Sequence, residues 1–260
     1  MIDVFRWECN SINACYSEGL AYMRLSRSKI ELFQRCPRCF WLNVNAKIRQ
    51  PSGPPFSLNV AVDHLFKNEF DAYRGGGVVP PRLAAAGIDC IPAAHADLSK
   101  WRHNFTGVSA VHEPTGLELF GAIEDLLVDR QGLYYVVDYK ATAKAGEVSL
   151  YAEWQISYKR QVEFYQWLLR RNGLRMADRA WFVYANGIKD DGPFDDVLRF
   201  RTTLIPYDGD DSWVEPTIAS AHACLAQTAA PDPASNCEYC SYVSKLNSHF
   251  DKAALGTVNA

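Results

Sequence analysis

Hydrophobic and polar positions along the chain divide it into a helical part, a strand-rich centre and a second helical part. Residues 1–22 show no clear period, whereas Ser28-Lys29-Ile30-Glu31 opens a helix with a capping-box pattern. The apolar positions Ile30, Leu32 and Phe33 carry that helix on to Cys36 and Cys39 at its C-terminal end. Residues 51–57 are turn-rich, and a second helix is predicted from about Leu58 to Tyr73. Its apolar positions are Leu58, Val62, Leu65, Phe66, Phe70 and Tyr73. Asp63 flanks this stripe, whereas at about 100° per residue His64 falls nearly opposite Val62 and Phe66. Residues 74–116, with three consecutive glycines at Gly75, Gly76 and Gly77, read as an irregular or helical insertion.

The centre changes period. Leu117 to Val128 reads as a strand, Asp129-Arg130-Gln131-Gly132 as a hairpin turn, and Leu133 to Lys140 as a second strand that ends its apolar run in Asp138-Tyr139-Lys140. From Glu153 to Arg171 a long helix puts Trp154, Tyr158, Tyr165 and Leu168 on one face, with Gln161 in its middle. Residues 180–185 and 197–205 read as further strands, and Ser212 starts the last long helix. This order predicts an α/β fold, a mixed central sheet of about four or five strands flanked by helices.

Composition narrows the class. Of 260 residues, 48% are hydrophobic and 22% charged, which excludes extended disorder and gives ample length for a core. One domain is expected over 23–250, with 1–22 as an extension or a misassigned start (Met23 being the real one) and 251–260 as a tail. No apolar run approaches the roughly 18 residues of a membrane span and no signal peptide is visible, so a cytoplasmic protein without a membrane partner is expected. A formal charge of −3 argues against nucleic-acid binding by bulk charge. Between Arg24 and Arg49, however, seven Lys and Arg face only Glu31, which marks either a local basic patch or a solvated helix face.

Among eight cysteines, two matched CxxC units stand out, Cys36-Pro37-Arg38-Cys39 and Cys237-Glu238-Tyr239-Cys240. Four thiolates in two such pairs suit one metal site, either zinc or an iron-sulfur cluster. Cys9, Cys15, Cys90 and Cys224 read as plain thiols.

In a strand, residues i and i+2 face the same side, so Asp138 and Lys140 project together from the end of a buried strand. Glu124, on the preceding strand, supplies a second carboxylate. Two carboxylates with a lysine suit Mg²⁺-assisted phosphodiester hydrolysis, the acids holding the ion and the lysine steadying nucleophile or phosphate. The order of motifs adds more: Leu25-Ser26-Arg27-Ser28 before Cys36-Pro37, then Val62-Asp63, Gly121-Ala122-Ile123-Glu124, Val136-Val137-Asp138-Tyr139-Lys140, Gln161-Val162-Glu163-Phe164-Tyr165, and the CxxC at Cys237. In this the chain resembles the RecB-like branch of the PD-(D/E)XK nuclease superfamily, which includes the CRISPR-associated iron-sulfur exonucleases.

The resemblance implies a restriction-endonuclease-like fold with a Cys-ligated metal staple. It implies a Mg²⁺- or Mn²⁺-dependent deoxyribonuclease, an exonuclease on single-stranded or unwound DNA ends in repair, recombination or CRISPR adaptation, with a helicase or a CRISPR-adaptation complex as partner. Asp138 would bind metal, Lys140 would be the catalytic lysine, and Gln161 and Tyr165 would lie against the site. The family acid of the first strand aligns with Glu124, with Asp125 as the alternative; Asp63 takes the place of a helical histidine and leaves His64 one position late. Cys36, Cys39, Cys237 and Cys240 would hold a 4Fe-4S cluster, with structural Zn²⁺ as the alternative. A nucleic-acid-binding module without turnover, or a metal-stapled scaffold of a repair complex, is the rival reading.

Overall fold

A computed structural model describes residues 8–10, 14–17, 20–54, 56–189 and 192–256. The chain divides into two compact units, one made of Met1–Arg27 with Pro54–Val214 and the other of Ser28–Gly53 with Glu215–Ala260.

Among the described residues, the first unit holds ten strands in two mixed sheets. β1 (Glu8–Asn10), β2 (Ala14–Ser17), β3 (Leu20–Ser26), β6 (Leu117–Gly121) and β5 (Val108–His112) form one sheet, in the order β1-β2-β3-β6-β5. The second is ordered β10-β9-β8-β7-β4, from β10 (Phe200–Asp208), β9 (Arg179–Gly187), β8 (Tyr134–Thr142), β7 (Asp125–Asp129) and β4 (Cys90–Pro92). Within them β3 runs parallel to β6, and β8 parallel to β9. The parallel pair β8 and β9 is joined by α6 (Ile156–Arg171), the crossover that parallel neighbours need.

Several expectations need correction. The single strand expected over Leu117–Val128 is two, because the chain leaves the first sheet at Gly121 and enters the second at Asp125. The expected single sheet is accordingly two. The insertion over 74–116 contains the short helices α4 (Pro81–Ala85) and α5 (Leu98–Trp101), but also β4 and β5, each an edge strand of one sheet. The segment without a legible period, 1–22, contributes β1, β2 and the start of β3; residues 1–7, 11–13, 18 and 19 lie outside the described residues, as do 257–260 of the expected tail.

The core of the second sheet is closed by α3 (Ser57–Asp71), whose Val62, Phe66 and Phe70 pack with Leu127, Val137, Tyr139 and Val183. Leu58 and Leu65, expected on that stripe, are exposed: the i, i+4, i+8 line of Val62, Phe66 and Phe70 is narrow, and one sheet face covers it. On α6 every residue from Val162 to Leu169 is buried, whereas Trp154 lies in the 3-10 turn before it and is 63% exposed.

In the second unit α1 (Arg27–Arg35) stops before Cys36 and α2 (Pro37–Val44) restarts, so Cys39 belongs to a new helix and not to the end of the first. Proline explains the break. It disfavours helical backbone at the preceding residue, and Cys36 is extended at φ −164°, ψ 108°, while Pro37 itself suits the first position of a helix. α7 (Val214–Leu225) lies against α1, with Gln34 Nε2 donating to Thr217 Oγ1 at 2.7 Å, and α8 (Glu238–Gly256) follows.

Candidate active site

Glu124 sits at the break between β6 and β7, in the three residues where the chain changes sheets. The close approach of α6 to this break requires Gly121, since a Cβ there would meet Cε1 of Tyr165 at 2.7 Å. Alternation along β8 turns Val137 and Tyr139 toward α3 and sends Asp138 and Lys140 the other way, toward α6.

A cavity of about 480 Å³ opens at this point, and Asp63, Lys67, Glu124, Lys140 and Tyr158 are among the residues lining it. Lys67, one turn after Asp63, donates to Asp63 Oδ2 at 2.8 Å and to Glu124 Oε2 at 2.5 Å. Burial first, and then the Asp63 carboxyl beside it, pushes Glu124 up to about 7 against the pull of Lys67. Burial would lower the Lys67 pKa, but the charges of Glu124 and Asp63 outweigh it and hold the ammonium above its ordinary value.

Asp138 is fully buried and ion-paired with Lys140, whose Nζ also lies 4.4 Å from the centre of the Tyr158 ring. Asp138 Oδ2 meets only the Lys140 ammonium, and Oδ1 of Asp138 and Oδ1 of Asp63 are buried without a donor. Such groups are costly unless a cation satisfies them, so this donor set fits a hard divalent ion. The three carboxylates are not gathered into one tight cage, however. Among the described residues only four cysteines bring their ligand atoms within 4.8 Å of one another.

Beside the acids, Arg27 Nη2 donates to Ser157 O at 2.6 Å and to Gln161 Oε1 at 3.3 Å, and Gln161 Nε2 donates to Tyr165 Oη at 3.3 Å. Burial pushes the Tyr165 phenol up to about 12, so it stays neutral. Gln161 is therefore held between an arginine and a tyrosine.

Asp125 goes elsewhere. Fully buried, it accepts from Arg74 at 2.9 and 3.0 Å, from Arg102, from Tyr139 Oη at 2.8 Å and from the Leu126 amide at 2.7 Å. Asp71 binds both arginines again, and Arg102 Nε donates to the Glu124 carbonyl at 3.0 Å, so this network supports the break that carries Glu124. His64 is exposed and lines no part of the cavity. Sequence reasoning missed Lys67, Arg74 and Arg102. Lys67 and Arg74 had a local signal, in their i, i+4 and i, i+3 spacings from Asp63 and Asp71; Arg102 had none.

In the other unit the two CxxC pairs meet. Each is built alike: Cys36 precedes α2 with Cys39 in its first turn, and Cys237 precedes α8 with Cys240 in its first turn. Burial opposes ionisation of Cys36, but the Cys39 and Ala234 backbone amides and the neighbouring thiols outweigh it and lower its pKa to about 7.

A family model described as the PD-(D/E)XK nuclease superfamily matches residues 57–244. The chain belongs to this superfamily, whose members usually hydrolyse phosphodiester bonds with divalent metal ions. Among curated proteins none matches. One solved structure, the crystal structure of SSO0001, is similar at 16% identity and a TM-score of 0.34, covering 79% of this chain and 77% of that one. No helix among the described residues is long and apolar enough to cross a membrane.

Proposed function

We propose that the chain is a Mg²⁺- or Mn²⁺-dependent deoxyribonuclease that trims single-stranded or unwound DNA ends, as the RecB-like and CRISPR-associated exonucleases it resembles do. The observation that carries this reading is the buried Asp138 carboxylate, paired with Lys140 and otherwise unsatisfied, behind a cavity that Lys140, Asp63 and Glu124 line. Asp138, Glu124 and Asp63 would hold the ion; when bound, it polarises the phosphate and lowers the pKa of an attacking water. The ammonium of Lys140, oriented by Asp138 and Tyr158, stabilises charge developing on a phosphate oxygen. Gln161, held by Arg27, orients the lysine side of the site or the strand being cut.

Aromatic surface at the cavity supports an unpaired substrate. Phe56, 80% exposed, lines it, and Trp154 stands ring to ring with Tyr158 at 5.4 Å. Exposed rings beside a cationic group stack unpaired bases irrespective of sequence. A helicase or a CRISPR-adaptation complex that supplies unwound ends is the partner this reading requires, with repair, recombination or CRISPR adaptation as its setting.

The test is digestion of end-labelled single-stranded, double-stranded and circular DNA with Mn²⁺ or Mg²⁺. Linear single strands are expected to be degraded and circles spared. Binding without cleavage under either ion would replace the enzyme with a binding module.

The raised Glu124 pKa has a consequence for the metal-free protein. With a folded value of about 7 above an ordinary 4.5, the folded state holds more protons between these values, so its stability falls as pH rises through that window. Glu124→Gln cannot ionise. In chelator, thermal melts should therefore show this variant gaining Tm over the wild type more at pH 8 than at pH 5; equal gains at both would contradict the assignment.

A further inference from the structure

The sulfur positions of the four-cysteine group decide what it can hold. Cys36 Sγ lies 3.8 Å from Cys240 Sγ, and Cys39 Sγ lies 3.7 Å from Cys237 Sγ and 3.5 Å from Cys240 Sγ. All four sulfurs fall within 4.8 Å of one another. A single tetrahedral ion with metal–sulfur bonds of about 2.3 Å separates its ligand sulfurs by about 3.8 Å, the edge of that tetrahedron. A 4Fe-4S cube instead places a separate iron behind each thiolate, which drives the four sulfurs apart to roughly 6 Å. Four cysteines at the observed spacing leave no room for a cube.

We infer that Cys36, Cys39, Cys237 and Cys240 bind one zinc ion, and that the iron-sulfur cluster implied by the family resemblance does not fit this chain. The local backbone agrees. Each CxxC pair wraps a helix N-terminus, with the first cysteine before the helix and the second inside its first turn, so two equivalent two-thiolate claws face one point. Cys224 lies nearby with its sulfur 3.9 Å from the Pro37 carbonyl, and it is not one of the four. The inference is independent of the nuclease reading, because the two CxxC pairs belong to the unit that lacks the carboxylates.

The experiment is metal and sulfide analysis of the whole protein, purified without oxygen from cells supplied with both iron and zinc. About one zinc per chain, no acid-labile sulfide and a colourless solution are expected. Exchange into Co²⁺ should produce the intense visible absorption of a tetrahedral tetrathiolate site. Cys224→Ser should keep its full zinc content. Iron with sulfide, iron alone, or a metal-free protein lighter by the mass of four hydrogens, as two disulfides require, would each overturn the assignment, as would cobalt exchange without tetrathiolate absorption.

Discussion

Asp138→Asn and Lys140→Ala are each expected to lower divalent-dependent DNA cleavage by at least about 10²-fold, the scale for removing a positioned electrostatic group. Their effects on stability should diverge. Asp138 Oδ2 meets only the Lys140 ammonium and Oδ1 meets no donor; Lys140 lines the open cavity, where water can hydrate it once its partner is neutral, so the amide relieves the charge that is fully buried and the metal-free Asp138→Asn protein should melt at or above the wild-type temperature. Lys140→Ala removes the partner of that charge and should melt lower. Cleavage assays beside thermal melts in chelator separate the two quantities. Retained cleavage in both variants would sink the assignment of this site.

Asp125→Ala should instead cost about 3–5 kcal/mol of folding stability, because it leaves two arginines in an enclosed network without the acid they share. The loss follows from the geometry: a fully buried carboxylate accepting from Arg74, Arg102, Tyr139 and the Leu126 amide has every lone pair engaged and no capacity left for a metal. Denaturant titration of Asp125→Ala measures the loss. Glu124→Gln should show the opposite pattern, with cleavage lost and the fold kept. A stable Asp125 variant that no longer cuts, beside an active Glu124→Gln, would mean that the first-strand acid is one residue later than assigned.

Much of the candidate site was legible because its spacing is local. Asp138 and Lys140 share a face by strand alternation, and Asp63 looks toward the cavity while His64 does not, as the helical projection requires. The choice between Glu124 and Asp125 was not legible, since both orders satisfy the same motif. Their partners settle where each side chain goes, and those partners lie on α3, on the turn after it and on the loop after α5, far away in sequence. Periodicity also ran unbroken from Leu117 to Val128. The division there depends on β5 pairing with β6 and β4 pairing with β7, contacts that no local pattern encodes.

By itself, then, the sequence determined the α/β class, the presence of β8 and α6, the four cysteines as two CxxC pairs and the set of acids open to a role, because each follows from side chains within one turn or one strand. Only the tertiary structure decided that two sheets share the chain at Gly121–Asp125, that Lys67 bridges Asp63 and Glu124, and that Arg74 and Arg102 claim Asp125. It also decided that the two CxxC pairs close on one point with sulfurs 3.5 to 3.8 Å apart in three of their contacts. These are distances between residues remote along the chain. They arise from how buried faces pack and how buried charges find partners, and no local period carries that information.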